Sequence, residues 1–144
     1  MPKEQDDHAI GWGDEMNIGQ AAKHSGLSAK MIRYYEDIGL LGTVKRSATG
    51  YRIYAEQDLK TLNFIKHARA LGFSSLQMKA LISLWQNHDR HSAEVKQLTL
   101  AHIQELNQKI KSLENMVAIL QQASACCAGD ERAECSILDQ IAAG

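Results

Sequence analysis

Cys126, Cys127 and Cys135 are the only cysteines of the 144-residue chain, and all three fall within ten positions near its C-terminus. Soft thiolates select Cu(I), Zn(II) and related ions, and geometry and ligand number decide among them. A structural zinc site wants four ligands, usually from closely spaced Cys or His pairs. The chain contains no Cys-x-x-Cys, and no histidine follows His102. Cys127 and Cys135 flank seven residues that include Gly129, so two thiolates could converge on one ion from opposite sides, an arrangement that suits a two-coordinate monovalent ion. Two thiolates on a +1 ion leave one excess negative charge, and a helix N-terminus offers the partial positive charge and free amides to offset it. An odd, clustered set of thiols argues against a disulfide framework and points to a reducing compartment.

A second chemistry lies upstream. The net charge of −1 conceals a segregation: residues 16–75 carry nine Lys or Arg against four acids, whereas residues 1–15 carry one Lys against five. A local polyanion site is implied rather than general stickiness. Lys30, Arg33 and Tyr34 fall on the first half of an expected helix from Ala29 to Ile38. Arg46, Tyr51, Arg52 and Tyr54 belong to two strand-like pieces joined by Ser47-Ala48-Thr49-Gly50, and Arg69 ends a further helical stretch. Arg and Lys pair with phosphates while Tyr hydroxyls donate to phosphate oxygens.

Elements to position these groups are legible from local spacing. Asn17 and Gln20 form a capping pair; Ser25-Gly26-Leu27 breaks the helix they open, and Ser28 caps the next, giving two short helices joined by a turn that contains Gly. Val44 to Arg46 and Tyr51 to Tyr54 read as a small hairpin. Asp58 to Leu71 is helical with Gly72 as its stop, and Ser74 with Gln77 opens another helix. From Ser92 to Ala125 no Gly or Pro intervenes. Along that stretch Ile103, Ile110 and Val117 alternate with Leu106, Leu113 and Leu120 at heptad spacing, a seam best buried against a second copy of the same helix. The expected fold is mainly α, with boundaries at residues 1–15 (a disordered leader), 16–86 (the basic domain), 87–125 (linker and dimerisation helix) and 126–144 (the thiol loop and a short helix). No apolar run approaches bilayer length and the N-terminus lacks a secretory pattern, so a cytoplasmic location without membrane contact is expected. No nucleophile–base pairing or phosphate-binding glycine loop has a fitting context, so no enzyme is expected.

Several motifs, in order, resemble the MerR family of metal-responsive transcription regulators: Met16-Asn17-Ile18-Gly19, then Met31-Ile32-Arg33-Tyr34-Tyr35-Glu36 with Gly39-Leu40, then Gly50-Tyr51-Arg52-Ile53-Tyr54, then Ala68-Arg69-Ala70-Leu71-Gly72-Phe73-Ser74. The resemblance runs from Met16 to about Ile141. It implies a winged helix-turn-helix head, a long antiparallel coiled-coil helix in a homodimer, and a C-terminal metal loop. The stretch from Cys127 to Cys135 looks like the two-cysteine loop of the copper-efflux regulator branch, and Ser92, following His91, stands where divalent-metal members carry cysteine. The chain departs from that branch at Ala128 and Ser136, where proline is expected, and in the extra thiol of Cys126. By this resemblance the protein is a Cu(I)-responsive transcription activator, with Ag(I) and Au(I) as further effectors. It would bind Cu(I) through Cys127 and Cys135, with the Ser92 end of the partner helix over the loop, and distort promoter DNA so that RNA polymerase can engage. The alternatives are a Zn(II) or other divalent sensor drawing on Cys126 or His91, and, from a different class, a thiol redox or metal-chaperone protein.

Overall fold

The structure, a computed structural model, describes residues 15–127, 129–130 and 133–144. The leader expected over residues 1–15 lies outside the described residues apart from Glu15, as do Ala128, Glu131 and Arg132 of the loop. Helix α1 (Ile18–Ser25) begins with a reciprocal cap: Asn17 Oδ1 accepts from the Gln20 amide and Gln20 Oε1 accepts from the Asn17 amide, each at 2.9 Å. Two amides that the first turn leaves without partners are thereby satisfied. The helix stops at Gly26, whose φ of 76° lies in the left-handed region that glycine adopts without strain. The Lys66 ammonium occupies the space a side chain there would take. Helix α2 (Ala29–Asp37) starts where Ser28 Oγ accepts from the Met31 amide at 3.1 Å, and it buries Ile32 and Tyr35.

The hairpin forms as β1 (Lys45–Arg46) and β2 (Arg52–Ile53), antiparallel, with Lys45 opposite Ile53 and Arg46 opposite Arg52. It is shorter than the spacing suggests because Tyr54 leaves it to pair with Met16, through reciprocal backbone bonds of 2.7 and 2.9 Å. Helix α3 (Glu56–Ala70) buries Thr61, Leu62, Ile65 and Ala68 along one stripe. Helix α4 (Ser75–Gln86) opens on the Ser74–Gln77 capping box, and its Trp85 stacks on Phe64 of α3 with ring centroids 4.6 Å apart. Ile32, Tyr35, Tyr54, Leu62, Ile65, Met78 and Ile82 make the centre of the core. Full burial of an aliphatic side chain such as Leu62 contributes about 1.5–3 kcal/mol.

The chain divides into a unit ending at Leu98 and a second running from Thr99 to Gly144. Helix α5 (Ser92–Ala125) is a single 34-residue element, and α6 (Ser136–Ala143) follows the loop. Among the described residues of the second unit nothing covers the seam: Ile103, Ile110, Leu113, Val117 and Leu120 are 45–58% exposed and Leu106 is half-buried. The architecture is mainly helical with a two-strand wing, as expected. No helix among the described residues is long and apolar enough to cross a membrane.

Candidate metal centre and nucleic-acid interface

The thiol loop is built on the last turn of α5. The Cys126 amide still donates to the Gln122 carbonyl at 3.2 Å, four residues back, but the Cys127 amide turns to the Ser124 carbonyl at 3.1 Å, three back. This tightening carries the chain off the helix axis at Cys127. On the far side of the loop Cys135 is the N-cap of α6, and Ser136 Oγ donates to the Ala123 carbonyl at 2.6 Å. The result brings Cys127 Sγ to 3.8 Å from Cys135 Sγ. That separation is far from a disulfide bond of about 2.05 Å. Two sulfurs on one ion at about 2.3 Å each can lie up to about 4.6 Å apart, so a single ion can bridge them.

The electrostatics suit the same role. The Leu138 amide holds the Cys135 pKa below its ordinary value; burial opposes this, while the Cys127 thiol and the Ile137 amide assist. A lowered pKa means more thiolate, the form that ligates metal. Both cysteines are half-buried, whereas Cys126 is exposed. The described residues thus bring two soft sulfurs together, and among them no group of three or more His, Cys, Asp or Glu is placed to hold an ion. These residues fit a soft ion of low coordination number. Ser92 and His91 are exposed at the start of α5, where the His91 carbonyl accepts from the Glu94 amide at 3.1 Å.

In the first unit, Lys30, Arg33 and Tyr34 of α2, Arg46 and Tyr51 of the wing, and Arg69 of α3 are all exposed at the surface. Tyr54 does not. It is 0% exposed in the core, and its hydroxyl donates to Glu36 Oε1 at 3.4 Å, so the expected phosphate contact from Tyr54 is corrected to a core role. The cause is the Met16–Tyr54 pairing, which draws the end of the wing under the head. Burial first, and then the neighbouring Glu36 carboxylate, push the Tyr54 pKa up to about 12.

Glu36, which the sequence alone does not single out, ties the wing to α2. Its carboxylate accepts from Arg52 Nε at 2.5 Å and stands 3.9 Å from Arg46 Nη2, and its side chain is only 13% exposed. The hydrogen bond to Glu36 is the main cause that raises the Arg52 pKa. Thus an acid on α2 holds both wing arginines, which lie ten and sixteen residues further along the chain. Arg52 is half-buried in this contact, whereas Arg46 is exposed and also donates through Nη1 to the Gly50 carbonyl at 3.1 Å.

Residues 16–84 match the family described as MerR HTH family regulatory protein, and residues 59–123 match the family described as MerR, DNA binding. The chain is 50% identical over 128 residues to heavy metal-dependent transcription regulator 1 of Rhizobium meliloti, covering 88% of this chain and 87% of that protein. It is 39% identical over 126 residues to the HTH-type transcriptional regulator CueR of Escherichia coli O6:H1, covering 88% and 93%. Its fold is similar to the crystal structure of a transcription regulator from Ralstonia metallidurans in complex with lead(II), with a TM-score of 0.78, 30% identity, and 88% and 98% of the two chains covered.

Proposed function

The chain belongs to the MerR family, among its heavy-metal-dependent transcription regulators, and from that premise we propose that it is a Cu(I)-responsive activator that binds promoter DNA as a homodimer. The observation that carries the Cu(I) reading is the convergence of Cys127 and Cys135 at 3.8 Å, with Cys126 exposed. Cys127 and Cys135 would hold the ion; Ag(I) and Au(I) offer the same soft, monovalent chemistry. A bound monovalent ion would supply one positive charge against two thiolates, and the Ile137 and Leu138 amides of α6, which face Cys135, would offset the remaining negative charge. The half-exposed seam supports the dimer, since a second copy would remove six apolar side chains per protomer from water.

Lys30, Arg33, Tyr34, Arg46, Tyr51 and Arg69 supply a mostly cationic surface for a duplex. Arg52 belongs to the same interface through its hold on the wing. Closure of the loop against the Ser92 end of the partner helix, with His91 beside it, would shift the long helices and through them the two heads. The ion must favour the activating state to do this; equal affinity for both states moves nothing. Distorting promoter DNA costs of order 1–10 kcal/mol, within the range of a tightly held ion plus head contacts, and it would realign promoter elements for RNA polymerase. The reading places the protein in the cytoplasm.

A divalent sensor is the second reading, and likeness to the lead(II) complex is what favours it. It needs ligands beyond the two sulfurs, for which Cys126 and His91 are the candidates, and both are exposed. Anaerobic titration followed by ultraviolet thiolate-to-metal absorption, with operator binding read in parallel, separates the two. One Cu(I) per protomer, lost in Cys127→Ser and retained in Cys126→Ser, is expected. Saturation by Zn(II) with equal affinity, dependent on Cys126 or His91, would contradict the Cu(I) reading.

A further inference from the structure

Ser136 occupies N1 of α6, the position where proline's fixed φ is favoured and where the copper-efflux branch is expected to carry it. Proline has no side-chain donor. In this chain the Ser136 hydroxyl crosses the loop and donates to the Ala123 carbonyl at 2.6 Å, and Ala123 is 6% exposed. Its partner is not arbitrary. The last carbonyls of a helix lack amide donors one turn ahead, and here the Cys127 amide goes to Ser124 rather than to Ala123. The Ala123 carbonyl, buried near the end of a 34-residue helix, is therefore satisfied from the other side of the loop.

We propose that Ser136 is a positioning residue that latches the far end of the thiol loop onto the end of α5, so that Cys127 and Cys135 are held together before any ion binds. The latch spans residues 123 and 136 and encloses both cysteines, so closing it closes the thiol pair. It substitutes a hydrogen bond for the stiffness that proline gives at the same position. The proposal deepens the reading of Cys127 and Cys135 as the metal ligands and rests on it for its effect on metal, but not for its effect on the thiols themselves. A preformed pair loses less conformational freedom on binding, which raises affinity.

The test uses the full chain in a Cys126→Ser background, so that only two thiols react. Its first measurement is free of metal: equilibrium with oxidised and reduced glutathione. Cys127 and Cys135 each give up a hydrogen and join as a disulfide while one oxidised glutathione becomes two reduced ones. The equilibrium constant is the effective concentration of one thiol at the other. Ser136→Ala should lower it by roughly 3- to 10-fold, the worth of one hydrogen bond, and Ser136→Thr, which keeps the hydroxyl, should restore it. The second measurement is Cu(I) affinity by competition with a chromophoric chelator, expected to fall by a similar factor in Ser136→Ala and to recover in Ser136→Thr. An unchanged glutathione equilibrium in Ser136→Ala, at unchanged helicity, would overturn the latch, as would failure of threonine to rescue. If the glutathione shift appears but Ser136→Ala leaves Cu(I) affinity at the parental value, the latch stands and Cys127 and Cys135 are not the Cu(I) ligands.

Discussion

In the head, the Glu36 carboxylate is engaged within the chain by Arg52 and by the Tyr54 hydroxyl, whereas in the C-terminal unit the seam from Ile103 to Leu120 stays about half exposed. The head fixes Arg46 and Arg52 of the wing by polar contacts that a single chain completes. The C-terminal unit brings two thiols together, while its apolar stripe stays half exposed within one chain. A regulator needs both kinds of construction: rigid heads that read the duplex, and an interface whose geometry a small ligand can bias. Substitutions in the two units should accordingly fail in different ways.

The largest effect is expected at the seam. Leu113→Glu places a charge where the partner's apolar stripe should pack, and sedimentation at micromolar concentration should find a monomer. Specific operator affinity should fall by roughly 100-fold or more, because two half-sites require two heads. A dimeric Leu113→Glu protein would remove the seam from the account.

Next comes the core of the head. Glu36→Ala leaves the Arg52 guanidinium and the Tyr54 hydroxyl without their carboxylate, and a cost of about 1–3 kcal/mol in unfolding free energy is expected. Chemical denaturation monitors it, with Arg52→Ala giving a loss of the same order. Unchanged stability in both would show that the network is incidental and that Arg52 acts only on DNA.

Replacing Ser92 by cysteine tests the metal site at constant fold. It should widen the metal response toward divalent ions, since a further thiolate would face the site in the dimer; an unaltered metal profile would separate Ser92 from sensing. A smaller effect is expected for Arg46, which is exposed and stands 3.9 Å from Glu36. Arg46→Ala should weaken operator binding uniformly across sequences and reduce the salt slope by about 1. The smallest concerns alkali. The Tyr54 pKa is raised from 10.0 to about 12 in the folded state, so the stability its neutral phenol contributes is whole below pH about 10 and is lost as pH rises through about 12. Tyr54→Phe should flatten stability in that window, read by denaturation at pH 9 and pH 11.

The same division describes what could be read from the sequence. Helix starts at Asn17, Ser28 and Ser74 were legible because each cap is made three residues away, and the heptad seam because its period is local. The thiol pair was legible from two cysteines flanking a loop with Gly129. Glu36 was not, because its partner Arg52 lies sixteen residues further along the chain, nor was the burial of Tyr54, which depends on pairing with Met16. The Ser136 contact was not legible for a related reason: it joins positions thirteen residues apart, across the loop.

The most direct test is transcription in vitro from the protein's operator, with Cu(I) and Zn(II) compared and occupancy read by footprinting on the same templates. The account predicts that wild type and Cys126→Ser occupy the operator with and without metal and activate with Cu(I), while Cys127→Ser and Cys135→Ser occupy it and remain silent. Activation by either of the last two with Cu(I), or release of wild type from DNA as the only response to Cu(I), would contradict it.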